Sequence, residues 1–262
     1  MADSALLLFT LLLQGSVGIT LWLVVLRCRS GFLLPELIFA FGMGMAGVII
    51  SFLHLGYPLN AFNVIRNVAT SWLSREVVFS ALYLTVLGLC TLMALVRHSI
   101  NGALLMLAGL LGTVAIFCMA QTYIHTAVAT WQHVKTLVFF LATMGVVGSV
   151  FIALASPDIN RPRIRLAVAV VIAMVLARIL VQPLWIYSIL THKQHIVTLP
   201  HAPLTRLLQL REFYMLNWTL SVVGMALFAI GGLRKKKVMM IAGGVLLLLA
   251  EIVLRYVFFC VG

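Results

Sequence analysis

From Ala5 to Phe259 the chain is a succession of apolar runs, each about as long as a helix needs to be to cross a bilayer. About 20 residues at a rise of about 1.5 Å cross a hydrocarbon core of about 30 Å. Lipid offers no water to a bare backbone, so each run is confined to a helix. The breaks predict eight spans: Ala5–Leu26, Pro35–Leu53, Glu76–Val96, Gly102–Ala120, Thr136–Ala155, Leu166–Ile189, Phe213–Leu233 and Val238–Phe259. Of the 262 residues 63% are hydrophobic and 9% charged, which leaves too little polar surface to coat a soluble fold. The expected class is an all-α integral membrane protein, a single membrane domain over residues 1–262.

A formal charge of +12 would suggest nucleic acid in a soluble domain, but here the basic residues sit in short gaps between spans and act as topology signals, so nucleic acid is not an expected partner. The gaps after spans one, three, five and seven carry ten Lys and Arg, including "RKKK" at Arg234–Lys237, which reads as an anchor to anionic lipid. The other gaps carry six, Arg66, Arg75, Lys135, Lys193, Arg206 and Arg211, spread over longer loops. The bias puts both termini outside the cytoplasm, on the periplasmic side, with the long loops Leu55–Arg75 and Leu190–Glu212. The first span lacks a basic leader and is followed by Arg27 and Arg29, as expected of an uncleaved helix. Cys28, Cys90, Cys118 and Cys260 have no paired spacing, so neither a structural zinc, an iron–sulfur cluster nor covalent haem is expected in this protein.

A faint duplication is present. Arg75-Glu76 opens span three and Arg211-Glu212 opens span seven, 136 residues apart (211 − 75), as two four-helix halves over residues 1–130 and 131–262 would give. "GMGMAG" at Gly42–Gly47 matches a dinucleotide fingerprint literally, but it lies inside a span with no preceding strand and reads as small residues for close helix packing.

Only six residues are Asp or Glu, so each one near a span needs a reason. Glu76 is placed in the first turn of span three beside Arg75. The helix dipole and the cation favour its charge and the apolar surroundings oppose it, which leaves it able to exchange a proton. His54 ends span two just before Gly56 and Pro58 break the helix, and imidazole is the natural proton acceptor at such a mouth. Each residue also has a plainer account as an interfacial polar group. His125 and His133 flank the next outer segment, where with His54 they raise the alternative of haem ligation. Glu251 and Arg255 stand in ion-pair spacing on span eight and Arg178 lies within span six, either a packing pair or the lining of a secondary transporter. Trp72, Trp131, Trp185, Tyr57, Tyr123 and Tyr187 fall near the outer ends, as an interfacial belt or as a wall for a flat ring.

The stretch "HLGYPLNAFNVIRNVATSWLSRE", His54 to Glu76, together with the eight-span layout, resembles the DmsC-type membrane anchor subunits of anaerobic dimethyl sulfoxide reductases. That family has an H-L-G-x-P-x-x-A-F motif at the end of the second helix and S-x-E at the start of the third. Here these are His54-Leu55-Gly56, Pro58, Ala61-Phe62, Ser74 and Glu76. The resemblance implies a multi-pass protein of the bacterial inner membrane that binds and oxidises menaquinol without haem. It also implies partners on the periplasmic face, an iron–sulfur electron-transfer subunit and a molybdopterin catalytic subunit. His54 and Glu76 are then the expected proton acceptors, with Arg75 holding Glu76 ionised. Gly56, Tyr57, Pro58 and Trp72 complete the expected menaquinol site. The terminal acceptor would be dimethyl sulfoxide or a related compound.

Overall fold

The computed structural model describes residues 2–27, 33–52, 58–155, 161–191 and 208–261. Its helices are α1 (Ala2–Arg27), α2 (Leu34–Phe52), α3 (Trp72–Arg97), α4 (Gly102–Ile124), α5 (Val134–Ala155), α6 (Arg161–Thr191), α7 (Arg211–Leu233) and α8 (Lys237–Val261). All eight are long and apolar enough to cross a membrane, which makes this a multi-pass membrane protein. A 3-10 helix, Pro58–Asn67, leads into α3. The expected spans match in number, but several helices run on: α3 starts four residues earlier than expected, at Trp72, and α6 takes in Arg161, Arg163 and Arg165.

Consecutive helices pair as antiparallel hairpins, α1 with α2, α3 with α4, α5 with α6 and α7 with α8. The ends joined by residues 98–101 and 234–236 lie at one side of the bundle. The starts of α3, α5 and α7 and the ends of α4, α6 and α8 lie at the other, called here the wide end because its connections are longer.

The hairpins assemble around α1 and α5, which pack on each other and on α4 and α8. Leu13 to Thr20 are buried without a break, as are Val146 to Val150, so neither helix has a lipid-facing stripe at its middle. Gly18 and Gly148 set this contact: a Cβ on Gly18 would strike the Met144 carbonyl, and one on Gly148 the backbone of Gly18. Lipid tails are as apolar as the helices, so such close backbone packing supplies the association energy. In "GMGMAG", Gly44 faces Ser16 and Leu84 and Gly47 faces α1, as expected of packing glycines, whereas Gly42 faces open space.

Polar side chains join the core helices. The Tyr83 hydroxyl lies 2.7 Å from the Ser16 hydroxyl and 2.9 Å from that of Thr20, and Ser16 donates to the Ala40 carbonyl at 2.6 Å. Elsewhere in the core, Arg178 of α6 grips both oxygens of Glu251 of α8, at 2.7 and 2.9 Å. Its Nη2 and that of Arg255 each donate to the Thr143 hydroxyl at 3.0 Å, while that hydroxyl donates to the Phe139 carbonyl. Arg255 also donates to Gln14 of α1 and lies 4.0 Å from the centre of the Phe140 ring. The expected pairing of Glu251 with Arg255 is thus corrected. The carboxylate reaches across to α6, where both its oxygens meet a guanidinium fork.

Two outcomes follow for the detergent-solubilised protein. Gly148→Val should lower its thermal unfolding temperature or block folding, whereas Gly42→Ala should leave it unchanged. Glu251→Gln, which leaves two buried guanidinium groups without a carboxylate, should destabilise by about 3–5 kcal/mol; joining Arg178→Met to Glu251→Leu should cost less than either alone. A double-mutant cycle on unfolding checks the second.

Candidate functional site

The site is built by the turn that enters α3. The Asn67 carbonyl closes it by accepting from the backbone N–H groups of Thr70 and Ser71, and the Ser71 hydroxyl caps the helix by accepting from the Ser74 N–H. A serine in extended backbone is a favoured cap. It moves the start of α3 back, so Glu76 lies not in the first turn but at the fifth helical residue, about 6 Å below the start at a rise of 1.5 Å per residue. The expectation that the helix N-terminus stabilises its charge is weakened accordingly, because that effect fades within a turn.

Glu76 is only 4% exposed, and its Oε2 has no hydrogen-bond partner among the described residues. It faces α4, where Thr122 is its polar neighbour and Cys118 and Tyr123 lie within electrostatic reach. One turn further along α3 the Ser80 hydroxyl is buried and also lacks a described partner. Two unmet polar atoms thus stand about one turn apart in an apolar wall. Such groups are rare in native interiors. Ser80 escaped the sequence reading, although its i+4 relation to Glu76 was available.

Arg75 does not hold Glu76. Its Nε donates to the Val68 carbonyl at 2.9 Å and its Nη2 to that of Ala69 at 2.6 Å, with the guanidinium 4.4 Å from the centre of the Trp72 ring. Successive helical residues point about 100° apart, so when Glu76 faces α4, Arg75 is turned to the loop. It fastens the turn to the helix. Trp72 in turn lies edge-on to Phe117 at 6.1 Å and against the His125 ring at 5.6 Å, which closes the α3–α4 mouth.

His54, Gly56 and Tyr57 lie outside the described residues; Pro58 opens the 3-10 helix. The His125 Nδ1–H donates to the Gln121 carbonyl at 2.9 Å. The His133 Nδ1 accepts from the Lys135 N–H at 3.0 Å. Burial, and then the charge of Lys135, hold the His133 imidazole below the usual histidine range. No group of three or more His, Cys, Asp or Glu able to hold a metal occurs among the described residues.

The aromatic belt is corrected in part. Tyr187 is exposed, but Trp185 and Tyr123 are buried. Tyr123 stacks edge-on with Trp131 and Phe258, Trp131 donates from its indole to the Phe258 carbonyl, and Trp185 donates to that of Thr130. An indole N–H facing hydrocarbon would lack an acceptor, and inside the bundle these find one. Lys135, counted above as a loop charge, is likewise buried, in the first turn of α5. The second Arg-Glu pair does not repeat the site: Arg211 and Glu212 touch each other at 3.2 Å and are exposed.

A family model described as DMSO reductase anchor subunit (DmsC) matches residues 1–261. The C subunit of the anaerobic dimethyl sulfoxide reductase of Haemophilus influenzae is 28% identical over 170 residues, 60% of this protein and 60% of that one. Its Escherichia coli namesake is 31% identical over 121 residues, 43% of this protein and 42% of that one. The anaerobic dimethyl sulfoxide reductase subunit YnfH of the same organism is 32% identical over 102 residues, 37% of this protein and 36% of that one. The alignment spans less than two thirds of the length of each of these relatives. No solved structure matches. With eight spanning helices, the H-L-G-x-P and S-x-E elements in place and the family match running from end to end, the chain belongs to the DMSO reductase anchor subunit (DmsC) family.

Proposed function

We propose that this protein is the quinol-oxidising membrane anchor of a periplasm-facing molybdopterin oxidoreductase in a bacterial inner membrane. The wide end of the bundle faces the periplasm, as the distribution of Lys and Arg among the loops supports. An iron–sulfur subunit docks there and passes electrons to the molybdopterin subunit, which reduces dimethyl sulfoxide or a related acceptor.

The observation that carries this proposal is Glu76, a buried carboxyl at the mouth of two spanning helices whose Oε2 has no hydrogen-bond partner among the described residues. Oxidising menaquinol to menaquinone removes two electrons and two protons, and each hydroxyl needs a base as the electrons leave. Glu76 Oε2 takes one proton, with Thr122 and Ser80 as its polar surroundings on α4 and α3. His54, at the end of the second span where the H-L-G-x-P motif begins, takes the other. Arg75 positions the site through the turn and Trp72 rather than by pairing with the carboxylate. Both electrons go to the iron–sulfur partner docked over the same mouth. Proton acceptors gather at this end because the electron acceptor is there.

In the assembled complex, Glu76→Gln or His54→Leu should abolish menaquinol-dependent reduction of the terminal acceptor while activity with an artificial dye donor persists. Near-normal quinol oxidation in both variants would refute the proton roles. Quinol oxidation and acceptor reduction on the same side release and consume equal numbers of protons. Complex reconstituted in vesicles should therefore turn over without net proton ejection; ejection abolished by an ionophore would contradict the placement.

A further inference from the structure

At the side of the bundle opposite the wide end, α6 begins beside the turn that joins α7 to α8. Two glycines bring these elements together. A Cβ on Gly231 would strike the backbone of Met240, so α7 and α8 pass closely there, and one on Gly232 would strike Ile164 and Val168, so the end of α7 lies against the start of α6. Arg165 of α6 and Gly232, Leu233, Arg234 and Lys235 of the turn thereby line one recess of about 240 Å³. The three cations are exposed, and no described carboxylate pairs with any of them. Lys236 and Lys237, the next residues in the sequence, do not line the recess, so Arg234–Lys237 is not one uniform basic run.

The turn itself is built against its own backbone preference. The Lys236 N–H donates to the Gly231 carbonyl at 2.8 Å and the Arg234 N–H to that of Ile230 at 2.9 Å, which closes α7 and leaves Lys235 in the left-handed region at φ 57°. Glycine is the usual residue at that place, because a side chain there costs energy. Here it carries an ammonium, turned into a recess that already holds two guanidinium groups. Three like charges around one recess repel one another, and an anion among them removes that cost.

We propose that this recess binds the phosphate of one anionic phospholipid, held by Arg165 from α6 and by Arg234 and Lys235 from the turn. Guanidinium forks match phosphate oxygens in shape as well as in charge. Leu166, Leu233 and Val238, which flank these cations at the ends of their spans, are exposed, so the recess stands where hydrocarbon gives way to headgroups. A phospholipid occupies both levels at once, with its phosphate among the cations and its acyl chains over the apolar rim; a soluble phosphate engages only the first. A headgroup with its own ammonium would bring a fourth cation to the recess, which favours a headgroup of net negative charge. Bound in this way, the lipid ties the start of α6 to the α7–α8 hairpin and stabilises the folded bundle by mass action.

The test is native mass spectrometry of the full-length, delipidated protein in detergent, titrated with phosphatidylglycerol, with phosphatidylethanolamine and with inorganic phosphate. One phosphatidylglycerol should bind before any further copy, and about tenfold tighter than phosphatidylethanolamine. Arg165→Gln joined to Arg234→Gln should weaken it by more than about tenfold, from about fivefold for each cation lost beside an anionic headgroup. Lys236→Gln joined to Lys237→Gln removes the same formal charge outside the recess and should weaken it less than about twofold, well under that fivefold for each cation. Lys235→Gly takes away a charge while relieving the left-handed residue, so it should weaken binding about fivefold without lowering the thermal unfolding temperature, and it serves if the double arginine variant does not fold. Equal losses in the two double variants overturn the site in favour of a diffuse basic surface, and so does unchanged binding in Lys235→Gly. Phosphatidylethanolamine that binds as tightly as phosphatidylglycerol overturns the selectivity for net charge. Inorganic phosphate that binds as tightly, and is lost in the same variants, overturns the lipid in favour of a soluble anion.

Discussion

A polar group in the hydrocarbon layer must find its partner within the protein, and the arrangement of this bundle follows from that demand. At its centre the demand is met in large part, although the Nε of Arg178 and that of Arg255 have no partner among the described residues. One carboxylate, two guanidinium groups, a hydroxyl and an amide from α1, α5, α6 and α8 share a single network around Glu251 and Thr143. Around it, the Gly18–Gly148 contact lets α1 and α5 touch backbone to backbone. The glycine contact supplies proximity and the network supplies register, because a helix that slid by one turn would strand a charge. Buried ion pairs are weak sources of stability but effective at penalising wrong arrangements.

Toward the wide end the demand goes unmet at Glu76 and Ser80 among the described residues, and the proposed chemistry is placed there. Glu76 and Ser80 present oxygen to the α3–α4 mouth. An anchor that served only to hold partners would gain by filling these positions with apolar side chains. Under the proposed function, that polarity receives the proton that a quinol hydroxyl gives up as it becomes a carbonyl.

The sequence carried the number and order of the helices, because each span is a run of apolar residues long enough to leave no other solution. It misplaced the start of α3 because Trp72-Leu73-Ser74-Arg75 reads as interfacial loop, whereas Ser71 caps the helix there. It named Glu76 through its scarcity and its motif. It paired Glu76 with Arg75 because they are neighbours in the sequence, when only helical direction decides what each one meets. The partner of Glu251 and the burial of Lys135 and Trp185 depend on which helices lie side by side, and hydropathy says nothing of that. His54, the other half of the proposed chemistry, was legible from its place at the end of the second span and from its motif, and it lies outside the described residues.

The central claim is that the Glu76 carboxyl receives a proton as quinol is oxidised. The most direct measurement is an infrared difference spectrum of the complex, carboxyl-labelled with carbon-13 at glutamate, taken as bound menaquinol is oxidised electrochemically. A carboxylic-acid band should rise on oxidation, shift with the label, and vanish in Glu76→Gln. A band of unchanged size in that variant would contradict the account.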